Sequence, residues 1–420
     1  MYLLRLAIKS LGNRRFSALL TVIAIGLSVT LLLAVEKVRT EARSSFASTI
    51  SGTDLIVGAR SGSVQLLLYS VFRIGNATNN VRWDSYQHFA DHPRVDWAIP
   101  ISLGDSHRGF KVMGTSQGYF DHYQYGRNQA LSFSAGERFD DLYDAVIGAD
   151  IARELGYELN TELTLAHGTG AVSFVDHADK PFQVSGILAR TGTPVDRTIH
   201  ISLEGMEALH VDWQQGMPAR GSAAVSAEEA RELDLTPKAI TAILLGLNNR
   251  ISTFAVQRDV NQYSREPLQA VLPGVALQEL WSLLGMAEKA LFIVSIFVVL
   301  TGLVGMLTAI LSSLNERRRE MAILRSVGAR PRHIFALLLL EAASLALGGI
   351  LLGLGLLYLG LWIGQPLILS QYGLFIAITP PGLYEWTLLG AILLASILMG
   401  SVPAWRAYRQ SLVDGLSIRT

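Results

Sequence analysis

Four stretches of this chain are long and apolar enough to cross a bilayer, and no other feature restricts its fold as strongly. A helix needs roughly 20 apolar residues to span about 30 Å of hydrocarbon. Residues 16–35, 290–314 and 386–405 carry no charged side chain, and 334–363 carries only Glu341. A cleaved leader is the rival reading of the first stretch. Its apolar run exceeds a typical leader core and a charged, helix-forming segment follows directly, so it reads as an uncleaved anchor.

Charge orients the spans. The 35 basic and 35 acidic side chains cancel, which suggests neither a nucleic-acid binder nor an acidic tail. The distribution is uneven. Segments 1–15, 315–333 and 406–420 hold 13 basic residues against Glu316, Glu320 and Asp414, a net +10, whereas 36–288 holds 21 basic and 30 acidic, a net −9. Lysine and arginine are retained on the cytoplasmic side. Both termini and the 315–333 loop are therefore expected in the cytoplasm, with 36–288 outside. The chain has no cysteine, which excludes disulfides, thiol catalysis and cysteine-rich metal sites and leaves the compartment open.

The expected fold class is an integral membrane protein with four transmembrane α-helices, one plus three, and a large α/β extracytoplasmic domain between helices 1 and 2. The parts are 1–35, cytoplasmic N-terminus and first helix; 36–288, stalk and ectodomain; 289–314, second helix; 315–333, cytoplasmic loop; 334–363, third helix; 364–385, external loop; 386–405, fourth helix; and 406–420, tail. Mixed charge and helix formers over 36–51 extend the first helix as a stalk until Gly52 stops it. Within the ectodomain, DSYQHFADHP reads as a short helix, VDWAIPISL and GFKVMGT as strands, DAVIGADIARELGY as one helix, and TELTL, PFQVSGIL and RTIHIS as strands. The small, polar run QQGMPARGSAAVSAEEARELDLTPKA reads as a loop with one short helix. The apolar stretch GTDLIVGARSGSVQLLLYSVFRIGNATNN is too interrupted to span; core packing is the preferred reading, a membrane-surface patch the alternative.

Several motifs invite a chemical reading. Gly349 with Gly353 and Gly360 with Gly364 form GxxxG pairs, expected to let helix backbones approach in a bundle or a dimer seam. Glu341 would lie about 10 Å into its span, close enough to the cytoplasmic interface to snorkel, so a structural role is favoured over transport. Gly114, Ser116 and Gly118 read GxSxG, but GYFDHYQYG is a poor helix start, so a turn between strands is expected rather than a nucleophile elbow. His88 and His92 could share one helical face near Asp84 and Asp91, yet Pro93 follows and spacing indicates no third ligand. Asp176, His177 and Asp179 form another loose polar cluster, and ordinary surface polarity is expected for both groups. No phosphate-cradling GxxxxGK[ST] or dinucleotide GxGxxG occurs, so no catalytic, cofactor or metal residue is assigned and any energy source must lie on another subunit.

The stretch NERRREMAILRSVGARPRHIF concentrates six arginines between two apolar runs. Holding the loop inside accounts for the charge. It does not account for Met321, Ile323, Leu324 and Val327 interleaved with that charge, nor for Gly328 and Pro331 placed to stop one helix and open the next. These residues describe a short amphipathic element with an apolar face to dock.

ERRREMAILRSVGARPRHIF resembles the signature loop of FtsX-like ABC transporter permeases, the type VII group that includes macrolide-exporter and lipoprotein-release permeases. Glu341 with Gly348, Gly349 and Gly353, the tail VPAWRAYRQSLVDGLSIR, the one-plus-three layout, and the ectodomain pieces AVIGADIARELGYELNTELTL and FQVSGILARTGTPVDRTIHI are similar to the same family. The resemblance implies a permease subunit in a bacterial inner membrane. ATP and magnesium would be held by a cytoplasmic ABC ATPase dimer, and the work would be done outside the membrane by mechanotransmission. The carry-over places ATPase coupling on Glu316, Arg317, Arg318, Arg319, Glu320, Met321, Ile323, Leu324, Arg325, Val327 and Gly328. It also implies a second permease copy or paralogue, leaves room for a periplasmic or lipoprotein partner beside membrane lipid, and implies no nucleic acid. Because the chain begins almost directly with its first span, it resembles the lipoprotein-release arrangement, with the ATPase in trans. The alternative function is a signalling permease that activates a periplasmic enzyme without moving a substrate.

Overall fold

The computed structural model describes residues 14–167, 175–176, 179–211, 213–214, 217–218, 225–316, 318–372 and 378–409. The N-terminal cluster Arg5 and Lys9, Arg317, His177, and the tail residues Asp414 and Arg419 lie outside the described residues. The chain divides into a helical unit, Met1–Ala42, Leu284–Gln371 and Ile376–Thr420, and an α/β unit, Arg43–Leu283 with Tyr372–Phe375.

Four helices in the described residues are long and apolar enough to cross a membrane. They are α1 (Arg15–Ser48), α8 (Pro273–Glu316), α10 (Pro331–Tyr372) and α11 (Leu383–Arg409), and each contains one of the apolar stretches. With 34 and 44 residues, α1 and α8 extend about 51 and 66 Å at 1.5 Å per residue, well beyond the roughly 30 Å of hydrocarbon. The stalk helix stops at Ser48, short of Gly52, whose φ of +70° suits glycine. At the other end of the chain, α10 continues to Tyr372, into the segment expected as an external loop.

Small residues let α1 pack closely within the helical unit. A Cβ added to Gly349 would lie 2.5 Å from Ile25 Cγ2, and one on Gly353 would lie 2.7 Å from Val29 Cβ. Thr30 Oγ1 donates to the Gly353 carbonyl at 3.1 Å, and Ser28 Oγ donates to the Val298 carbonyl at 3.1 Å. Side-chain hydroxyls and missing side chains thus replace the hydrophobic effect, which cannot drive helix association in lipid. Gly349 and Gly353 serve a seam within one chain. Gly360 is exposed with open space where a Cβ would sit, and Gly364 is half-buried.

The α/β unit is organised by a twelve-stranded sheet. Its elements, in chain order, are β1 (Leu55–Ala59), α2 (Ser63–Ser70), α3 (Trp83–Ala90), β2 (Val95–His107), β3 (Phe110–Thr115), α4 (Gly118–His122), β4 (Phe133–Gly136), β5 (Asp144–Ile147), α5 (Ala149–Leu155), β6 (Phe182–Leu188), β7 (Thr198–Ser202), α6 (Leu203–His210), β8 (Ala242–Leu247), α7 (Thr253–Asn261) and β9 (Leu268–Val271). The main path runs β9-β1-β8-β2-β3-β7-β5-β6-β4. The β3–β7 and β5–β6 pairs are parallel and the others antiparallel.

Strand alternation divides the core between the two faces of this sheet. Ile56 and Leu244 join one cluster with Leu66 and Tyr119, while Leu55, Val57, Ile243 and Leu245 join another with Phe89 and Val256. All five residues of β1 are buried, as are Leu66 and Leu67 of α2. The stretch that could have formed a membrane-surface patch is therefore core.

Two expectations are corrected here. DAVIGADIARELGY is a strand followed by a helix, not one helix. Ala145, Val146 and Ile147 lie between β7 and β6, buried on both faces, and a short run buried on both faces carries no periodicity to distinguish strand from helix. Gly148 makes the turn where a Cβ would come within 2.3 Å of the Val195 and Asp196 carbonyl oxygens. GYFDHYQYG does contain a helix, α4, whose residues Tyr119 and Phe120 are buried.

Candidate partner-docking site

The arginine-rich loop folds as helix α9 (Arg318–Ser326). Its end is well defined: Val327 N donates to Ile323 O at 3.1 Å, Gly328 N to Arg325 O at 3.1 Å and Ala329 N to Leu324 O at 3.0 Å. Gly328 supplies the φ of +103° that reverses the chain, and Pro331 opens α10. The helix is held between two structural stops rather than trailing as a loop.

The helix sorts its apolar residues onto different faces. Met321, 7% exposed, belongs to the buried cluster of Leu314, Ile334, Leu338 and Ala404, so it anchors α9 to the helical unit. Ile323 and Val327, one turn apart, are 53% and 83% exposed. Leu324 and Arg325 are half-buried, while Glu320 and Gly328 are exposed. The sequence grouped these apolar residues as one docking face. A helix rotates about 100° per residue, so Met321 and Ile323 diverge by roughly 200°, which a helical projection of the sequence would have shown.

The remaining candidate residues do not converge on a site. Glu341 is 4% exposed within the helical unit, so its expected snorkelling toward water is corrected to burial inside the helix packing. His88 stacks on Tyr263 with ring centroids 5.1 Å apart. His92 lies beyond the end of α3, and its Nδ1 accepts from Arg94 N at 3.2 Å. Among the described residues no group of three or more His, Asp or Glu residues is placed to hold a metal ion. Ser116 follows β3, but among the described residues its hydroxyl makes no hydrogen bond to a histidine or carboxylate; its carbonyl accepts from Tyr119 N at 3.0 Å. That is turn geometry without a nucleophile's base.

Four helices long and apolar enough to cross a membrane, an α/β domain inserted after the first and a short amphipathic helix between the second and third have the layout of a multi-pass membrane protein. The FtsX-like permease C-terminal family model matches residues 292–412, and the MacB-like periplasmic core domain model matches 17–262, more than half of the chain. The chain belongs to the FtsX-like, MacB-type family of ABC transporter permeases. It is 27% identical over 351 residues to the pyoverdine export ATP-binding/permease protein PvdT of Pseudomonas fluorescens (strain Pf0-1), covering 80% of this chain and 48% of that protein. It thus spans about half the length of that curated relative. Among solved structures, the periplasmic region of MacB from Actinobacillus actinomycetemcomitans is 10% identical with a TM-score of 0.33, covering 55% of this chain and 94% of that one. The extracellular domain of the noncanonic ABC-type transporter YknZ from Gram-positive bacteria is 12% identical with a TM-score of 0.31, covering 52% and 98%.

Proposed function

We propose that this chain is the membrane subunit of an ABC transporter complex in which a separate cytoplasmic ATPase drives work outside the membrane. That work is export, or release of a lipoprotein- or lipid-type substrate. The observation that carries this reading is α9, anchored through buried Met321 while it presents Ile323 and Val327 to solvent beside the basic residues of the loop. An apolar pair on a structurally fixed helix fits a groove in a partner, the helix-in-groove mode of recognition. The relative's name joins ATP binding with export, and this chain matches about half of that relative's length.

Mechanotransmission is supported by the continuity of α1 and α8, which run without a break past membrane length. Arg43 of α1 lies over the Trp281 ring of α8, 5.4 Å from its centroid. Ala276 and Leu277, in the first turn of α8, are part of the buried core of the α/β unit. In this reading the termini and α9 face the cytoplasm, two permeases form the membrane core, and the chain performs no catalysis itself. Replacing Ile323 and Val327 with aspartate tests it: the variant should insert normally and no longer co-purify with, or stimulate, its ATPase. Retained, fully stimulated ATPase would refute the docking role.

A further inference from the structure

The α/β unit contains a small cationic cavity that the proposed coupling does not use. It measures about 160 Å³ and is lined by Arg73, Asn76 and Asn80 from the loop after α2, Gly104 of β2 and Lys111 of β3. The strand is irregular there, with the β2–β3 register shifting between Leu103 and Ser106. A Cβ built on Gly104 or on Gly75 would meet nothing within 4 Å. A bulge bends its strand off the ladder and opens room beside it.

Among the described residues the charges lining this space have no counter-charge. Arg73 Nη2 donates to the Met113 thioether at 2.7 Å, while Nε and Nη1 are sealed from solvent with no partner. A thioether is a weak, uncharged acceptor. Burial pushes the neighbouring Tyr119 hydroxyl up to about 12, and burial together with the Arg73 charge takes the His200 imidazole down to about 3. Both are neutral near pH 7, so neither offsets the guanidinium. Burial also lowers the pKa of the Lys111 ammonium, and among the described residues no carboxylate lines the cavity. Asp105, the nearest carboxylate in the strand, lies 3.5 Å from His210 Nε2 instead.

A desolvated cation without a partner is costly, and here the buried Arg73 and the half-exposed Lys111 converge on a space that also offers two side-chain amides. We infer that this cavity binds a compact oxyanion of the phosphate class, with Arg73 and Lys111 supplying charge and Asn76 and Asn80 supplying neutral donors. The Lys111 ammonium and the amide donors are complementary to such an anion, and the Arg73 charge beside them adds to the attraction. The volume is below the roughly 300–1,000 Å³ typical of pockets for drug-sized ligands, so it admits an anion with a short substituent and not a nucleotide. The same chemistry occurs as free phosphate or on a glycerophosphate headgroup.

The test is thermal unfolding of the full chain in detergent, titrated with inorganic phosphate, with glycerol 3-phosphate, or with chloride at matched ionic strength. A saturable rise in Tm with either phosphate compound and none with chloride is expected. Saturation by inorganic phosphate identifies a free anion as the occupant, and saturation by glycerol 3-phosphate alone identifies a headgroup. Lys111→Gln should weaken the apparent affinity about tenfold or more, the scale of one charge-assisted contact, and Lys111→Arg should retain it. Lys111 is half-exposed, so its variants keep the test valid even where Arg73→Gln fails to fold. The inference is overturned if neither phosphate compound gives a saturable shift, or if Lys111→Gln binds as the parent does.

Discussion

Met321 and Ile323 lie two residues apart on α9 and face opposite ways, one 7% exposed within the helical unit and the other 53% exposed to solvent. The two positions separate folding from docking. Met321→Asp should lower the yield and thermal stability of the chain itself, because an unpaired carboxylate would enter a packed apolar cluster. Ile323→Asp with Val327→Asp should leave both unchanged and remove ATPase association. Size-exclusion profiles and ATPase co-purification for the two variants, measured side by side, distinguish these outcomes. Equal loss of ATPase association with an equally damaged fold in both would show that α9 has no separable docking face.

Close approach of α1 and α10 depends on missing side chains, so the two glycine pairs should respond differently. Gly353→Leu must displace Val29 or the Gly26 carbonyl, which a Cβ would approach to 2.7 and 2.8 Å. Overpacking of this kind costs about 1–3 kcal/mol. Gly360→Leu, placed in open space, should be tolerated in a single chain. Melting in detergent checks both, and a loss of self-association in Gly360→Leu alone would assign that glycine to a contact between copies.

The α/β unit should lose stability in acid through His200. Its imidazole is fully buried, with Nδ1 3.2 Å from the Val146 carbonyl and Nε2 without a partner. Burial, then the Arg73 charge, depresses its pKa from 6.5 to about 3. Between those values the unfolded chain binds a proton that the folded chain refuses, so stability rises with pH across this window. The full effect is on the order of 5 kcal/mol at 1.36 kcal/mol per unit. His210 acts in the opposite direction. Burial opposes its charging, but Asp105 raises its pKa overall, a contribution present below about 6.5 and lost as pH rises through the raised value. Denaturation at pH 7.5, 6 and 5 should show a steep decline that His200→Phe flattens; an unchanged slope in the variant would exclude His200 as its source.

Sidedness can be read directly because the chain has no cysteine of its own. A cysteine at exposed Arg330 should resist a membrane-impermeant maleimide in intact cells and react after lysis, whereas one at exposed Glu228 should react before it. Labelling of position 330 in intact cells would reverse the proposed orientation.

Ser116→Ala should leave the complex fully active, since that serine sits in a turn with no base against it among the described residues. Labelling of Ser116 by a fluorophosphonate, together with loss of activity in the variant, would establish it as a nucleophile.

The four spans, the amphipathic helix between the second and third and the domain after the first were all legible in the sequence. Each rests on local quantities: apolar length, charge count, or a glycine and a proline bracketing a helix. Much of the sheet was legible too, since PFQVSGIL and RTIHIS alternate or carry β-branched residues. Only the tertiary structure decided the rest. Whether Ala145–Ile147 forms strand or helix depends on the neighbours on both sides, because a run buried all round has no period of its own. Whether Gly353 rather than Gly360 meets α1 depends on which helix is adjacent. Arg73 and Lys111, 38 positions apart in sequence, share a cavity because a strand bulge and a loop meet there. Local pattern sets which elements form, and their partners are set by burial among residues distant in the chain, information that no single segment carries.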